Sequence, residues 1–205
     1  MDLRVADVKW HTDIAGPWIS SEIFVQGCFR ACPGCFNPQT WDPDGGYSMS
    51  TGDIVRALQK FVPYRRLTIS GGEPLLQAPA LTEMLRMLRA TSSKKWTILC
   101  YTSYTWEELC DMILSGSIAG DNILDLLMQI NILVDGPFMC DLALPIRRGQ
   151  FVGSSNQRVI DVRRTLADPN LVPHAWHEPL LARIKRMLNC ERVAHGGVYC
   201  ARSYK

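Results

Sequence analysis

Apolar residues fall into two rhythms along this chain. Short runs of β-branched and aromatic residues end at glycine, proline or small polar residues, and between them apolar positions recur three and four apart. The first kind predicts strands at Ile23-Phe24-Val25, at Leu67-Thr68-Ile69-Ser70, over Trp96 to Tyr101, over Ile130 to Val134 and over Val159 to Val162. Residues 1–20 predict an N-terminal strand and a turn at Gly16-Pro17. The second kind predicts helices. Ile54, Val55, Leu58, Phe61 and Val62 form one stripe, opened by Ser50-x-x-Asp53 and stopped by Pro63. Leu81, Met84, Leu85 and Leu88 form another. Thr105-x-x-Glu108 reads as a capping box opening a helix through Leu114, and a short helix follows over 123–127. Leu180, Leu181, Ile184 and Leu188 mark a last helix, and 37–50 reads as loop. Strand and helix alternating at this spacing predict an α/β protein with a mostly parallel sheet.

Composition narrows the class. The 205 residues are 47% apolar and 20% charged, which describes a globular chain. A formal charge of +2 gives no argument for nucleic acid. No apolar run reaches the ~20 residues of a membrane helix, so no membrane role is expected. Met1-Asp2-Leu3-Arg4 lacks the order of a signal peptide, and eight cysteines without one imply a reducing compartment. The expected location is cytoplasmic.

The chemistry is concentrated in Gly27 to Asn37. Cys28, Cys32 and Cys35 are spaced C-x3-C-x2-C. Three is odd and the spacings are tight, which disfavours disulfides. A structural zinc site asks for four ligands. Three nearby thiolates suit a four-iron cluster with one iron left open for a ligand. The loop follows a predicted strand, and Gly71-Gly72-Glu73 ends the next one about forty residues on. Two glycines there allow positive φ and close backbone approach. Cys100 and Cys110 read as buried thiols. His174, His177, Cys190, His195 and Cys200 match no zinc or cluster spacing.

C-x3-C-x2-C resembles the signature of the radical S-adenosylmethionine (SAM) enzymes. The common form places an aromatic residue before the third cysteine; here Gly34 stands before it and Phe36 after. Cys32-Pro33-Gly34-Cys35-Phe36-Asn37 is similar to the loop of the glycyl-radical-enzyme activases of the anaerobic (class III) ribonucleotide reductase type. Val134-Asp135-Gly136-Pro137-Phe138 and Gly153-Ser154-Ser155-Asn156-Gln157-Arg158 resemble further segments of these activases. Thr102-Ser103-Tyr104 stands where they often have Thr-Gly-Tyr.

The resemblance covers about 1–164 and leaves 165–205 as a helical C-terminal extension of six basic and three acidic residues. It implies a partial, open (βα) barrel of the radical SAM type. Cys28, Cys32 and Cys35 would hold a [4Fe-4S] cluster. Gly34 and Phe36 would meet the adenine side of SAM through backbone groups, with Cys35 between them also counted as cofactor-binding, and Gly71, Gly72 and Glu73 would meet its amino group. Asp135 is either a polar contact near SAM or a turn residue. No side-chain acid or base is required. The implied reaction is one-electron cleavage of SAM to methionine and a 5′-deoxyadenosyl radical, which takes a hydrogen from a glycine of a partner. That partner would be the large subunit of an anaerobic ribonucleotide reductase, with an electron donor such as flavodoxin. Another glycyl-radical-enzyme activase, a small-molecule radical SAM enzyme of the deazapurine-synthesis type, and a non-catalytic iron–sulfur or zinc module are the alternatives.

Overall fold

A computed structural model describes residues 1–61, 64–93, 95–145 and 151–177. Among them the strands are β1 (Asp2–Thr12), β2 (Ser20–Val25), β3 (Tyr47–Ser50), β4 (Arg66–Gly71), β5 (Thr97–Tyr101), β6 (Ile132–Asp135) and β7 (Arg158–Asp161). They form one open sheet in the order β3-β1-β2-β4-β5-β6-β7. The pairs β2–β4, β4–β5 and β5–β6 are parallel. The pairs β1–β2, β1–β3 and β6–β7 are antiparallel. Five strands therefore run one way, and β1 and β7 run against them. The sheet is mixed and mostly parallel.

The helices are α1 (Thr51–Phe61), α2 (Ala78–Ala90), α3 (Trp106–Leu114), α4 (Ile118–Leu127) and α5 (Val162–Leu166). Alternation along the strands separates two faces. Ile23, Val25, Leu67, Ile69, Ile98, Cys100 and Leu133 pack with Ile54, Leu58, Leu81, Leu85, Leu109 and Leu126 in the main core. Leu99, Ile132 and Val134 point the other way and meet Trp18, Phe151, Val159 and Trp176. That second face also carries buried polar groups on β2 and β4, where Ser20 Oγ and Thr68 Oγ1 lie 3.1 Å apart.

Three sequence expectations change. Tyr47–Ser50, read as loop, is an edge strand paired with Asp2 to Val5. The strand expected over Val159 to Val162 lies at Arg158–Asp161 and runs antiparallel; Val162 instead opens α5, capped by Asp161 accepting from the Arg164 N–H. The short helix expected over 123–127 begins at Ile118, where Ser117 accepts from the Gly120 N–H as its cap. The helix expected around Leu180 to Leu188 lies outside the described residues. No helix among the described residues is long and apolar enough to cross a membrane.

Candidate functional site

Parallel strands end together, so β2, β4, β5 and β6 deliver four turns to one edge of the sheet. The first turn is the cysteine loop. Its entry and exit are tied: the Gly27 N–H donates to Thr40 O (2.8 Å) and the Cys28 N–H to Trp41 O (3.0 Å). Gln26 Nε2 donates to Gln39 O (3.1 Å) and Asp42 O (2.6 Å). Inside, the Cys35 N–H donates to Cys32 O (3.1 Å) and Gly34 takes φ +73°, closing a tight turn. All three thiols are free and half-buried. The Asn37 N–H lies 3.4 Å from Cys35 Sγ, a donor suited to a thiolate. Burial pushes the Cys28 thiol above its ordinary range, and the nearby Glu73 charge adds to this. Binding a metal there displaces a proton.

The second turn, Gly71-Gly72-Glu73, lies against the first. The Gly72 N–H donates to Val25 O (2.8 Å) and the Glu73 N–H to Gly27 O (2.8 Å). A Cβ at Gly72 would stand 2.3 Å from the Gly27 carbonyl oxygen, and one at Gly71 2.6 Å from Val25 N and O. Gly71 also takes φ +100°. Two glycines are needed because two backbones touch. Glu73 is 2% exposed, and burial raises its pKa against four hydrogen bonds that oppose the rise.

The third turn, Thr102-Ser103-Tyr104, supplies part of those bonds and leads into α3. The predicted capping box is present: Thr105 accepts from the Glu108 N–H while the Thr105 N–H donates to Glu108 Oε2 (2.8 Å). Glu108 also takes Arg30 Nη2 on both oxygens (2.9 and 2.8 Å), and the Arg30 guanidinium lies 4.7 Å from the Tyr104 ring centre. Arg30, between two of the cysteines, thus pins the loop to α3. A cavity of about 270 Å³ lined by Phe29, Arg30, Glu73, Leu76 and Tyr104 opens between these turns. A larger hollow of about 580 Å³, lined by Arg89, Asn131, Arg163 and Leu166 among others, lies at the opposite ends of the strands, away from the cysteines.

The fourth turn follows β6. Asp135 is 1% exposed; its Oδ2 accepts from the Trp106 N–H (2.8 Å), and both its oxygens accept from Arg158 Nε. It is thereby a brace between α3 and β7. The polar string 153–158 holds the segment after it. Asn156 Nδ2 donates to Pro137 O (2.8 Å), Gln157 Nε2 to Gly136 O (3.0 Å), and the Met139 N–H to Ser154 Oγ (3.2 Å). The strap so held sets the Phe138 ring 4.9 Å from that of Phe36 and brings Cys140 against Gly34, where an added Cβ would meet its Sγ at 3.3 Å. Arg30 and Cys140 carried no functional assignment from sequence alone, though Arg30 lies inside the cysteine motif; Ser103 and Phe138 were marked only as members of segments that resemble the activases.

Cys28 and the Gly71-Gly72-Glu73 turn are brought together, with Gly34 and Phe36 under the strap. Cys100 is buried in the core and Cys110 half-buried on α3. His174 pairs with Asp168 (3.0 Å) away from this edge. Cys190, His195 and Cys200 lie outside the described residues. Among the described residues no three His, Cys, Asp or Glu converge on one metal ion. A four-iron cluster asks instead for thiolates on separate irons, and three free thiols on a tied loop fit that donor chemistry.

The family model described as a 4Fe-4S single cluster domain matches residues 14–160. An anaerobic ribonucleoside-triphosphate reductase-activating protein of Escherichia coli is 32% identical over 156 residues, covering 73% of this chain and 93% of that protein. The chain belongs to the glycyl-radical-enzyme activases. The protein of the same name from Vibrio cholerae is 31% identical over 150 residues, 70% of this chain and 88% of its own length. A pyruvate formate-lyase-activating enzyme of Clostridium pasteurianum is 36% identical over 91 residues, 42% of this chain and 38% of its own. The family model's span takes in all four turns described above.

Proposed function

We propose that this chain is a radical SAM activating enzyme that generates a glycyl radical on an anaerobic ribonucleoside-triphosphate reductase. The observation that carries the reading is the seam between the two motif turns, where the Glu73 N–H donates to Gly27 O at 2.8 Å. It sets the Gly-Gly-Glu backbone beside Cys28 and a cavity of about 270 Å³. Cys28, Cys32 and Cys35 would hold the [4Fe-4S] cluster, which when bound supplies the electron that cleaves SAM. Gly71 and Gly72, packed against Val25 and Gly27, hold the Glu73 wall in place, and Gly34 and Phe36 would meet the adenine side of SAM beside Phe138. The protein's own part is binding, orientation and exclusion of water.

The open sheet, with helices against one face, suits a partial (βα) barrel whose edge of turns would admit a partner's loop. Residues 1–164 form the activase unit on this reading and 165–205 an extension. A cytoplasmic flavodoxin-type donor would supply the electron. The test mixes anaerobically reconstituted chain, dithionite, SAM and an anaerobic ribonucleotide reductase. A glycyl-radical doublet in the electron paramagnetic resonance (EPR) spectrum is the expected result. Deoxyadenosine released without a doublet would move the substrate from that reductase to another molecule.

A further inference from the structure

The carboxylate of Glu73 is filled by its own protein. Oε1 accepts from the Leu75 N–H (3.1 Å) and from Thr102 Oγ1 (2.9 Å). Oε2 accepts from the Ser103 N–H (2.7 Å) and from Ser103 Oγ (2.6 Å). A carboxylate has about four acceptor positions, and four donors occupy them. A ligand's ammonium group would have to displace one. The Ser103 hydroxyl is the donor that a glycine at this position lacks. The same bonds join the ends of the neighbouring strands β4 and β5, whose turns supply Glu73 and Tyr104 to the cavity. Thr102 Oγ1 also accepts from the Tyr104 N–H (3.2 Å), so the Tyr104 wall under Arg30 is set by the same knot.

We propose that Glu73 is the brace of the cavity rather than a contact to its ligand, and that Ser103 is the positioning residue that completes the brace. The inference rests on the function proposed above, in taking SAM as the ligand. A brace fixes the shape of the whole cavity, so its loss falls on every part of the ligand. A direct carboxylate contact would fall on the ammonium group alone.

The test uses the full chain, reconstituted anaerobically, as wild type, Ser103→Ala and Ser103→Thr. Two probes, SAM and its analogue lacking the α-amino group, are measured by equilibrium dialysis, with the EPR spectrum of the reduced cluster as a second readout. Ser103→Ala is expected to weaken both probes by the same factor, about tenfold, the size of one hydrogen bond to a charged acceptor. Ser103→Thr is expected to restore both, with the ligand-free cluster spectrum unchanged throughout. Unchanged affinities in Ser103→Ala would overturn the brace. So would weakening of SAM with the analogue spared, the mark of a Glu73–ammonium contact. Amide hydrogen exchange on the cluster-free chain decides independently of either probe. The Leu75 N–H should exchange several-fold faster in Ser103→Ala and in Ser103→Gly, and equal rates in all three chains would overturn the proposal. A wild type that binds neither probe strikes the proposed function and leaves the exchange result to judge the brace.

Discussion

Gly72 shows how much a single position carries. A methyl group there would meet the Gly27 carbonyl oxygen at 2.3 Å, and neither backbone can yield without opening the seam between the two motif turns. Gly72→Ala should cost about 3–5 kcal/mol, in the range of the most disruptive single substitutions, measured as a fall in the urea midpoint. Asp135 makes the complementary case. From sequence it is equally a ligand contact or a turn residue; in the fold its carboxylate serves Trp106 and Arg158. Asp135→Ala should therefore lower stability by about 2–4 kcal/mol even in cluster-free chain. A variant of full stability that fails only to bind SAM would reverse that assignment. The cysteine loop and the paired-glycine turn stand out in residue type and spacing. The hydrogen bonds of Asp135 and Glu73 do not, because those partners stand 23 to 30 residues away.

Elements with a strong local signal were read correctly, whereas β3, which only its pairing with β1 makes a strand, was read as loop. The α3 capping box is a four-residue pattern and appears as expected. Thr105→Ala should cost about 1 kcal/mol by urea unfolding, and should also free Glu108 to move with Arg30. β3 has no comparable signal: four residues with two serines become a strand only because Asp2 to Val5 lies alongside. β7 reverses direction for a similar reason, since 153–157 must turn back to hold the strap. β2 carries an electrostatic test. Glu22 is fully buried; its Oε1 accepts from the Ala15 N–H at 2.8 Å and its Oε2 has no partner among the described residues. Burial raises its pKa above the ordinary 4.5, more than the Ala15 bond lowers it. Its contribution to stability is then full below about pH 4.5 and lost as pH rises through the folded value. Glu22→Gln, neutral throughout, should gain on the wild type between pH 4 and pH 8 in urea midpoints. A difference that stays constant with pH would contradict this.

At the scale of the whole molecule, the mostly parallel sheet was legible and the buried polar groups on its second face were not. Periodicity tells which residues face a core, but not that Ser20, Glu22 and Thr68 are buried on the side away from the helices. The cysteine loop keeps Phe29 and Phe36 exposed, so the edge that carries the four turns is reachable from outside, as an enzyme acting on another protein requires. The claim that orders everything else is that a loop of three thiols leaves one iron of a cluster for SAM. Cys32→Ala should therefore fail to develop the brown absorbance of the reconstituted wild type. The most direct measurement gives the reconstituted chain dithionite and SAM under anoxic conditions and quantifies the products by chromatography. The account predicts methionine and 5′-deoxyadenosine in equal amounts, and none from Cys32→Ala. A chain that carries only zinc, or that holds its iron while SAM survives reduction intact, would contradict it.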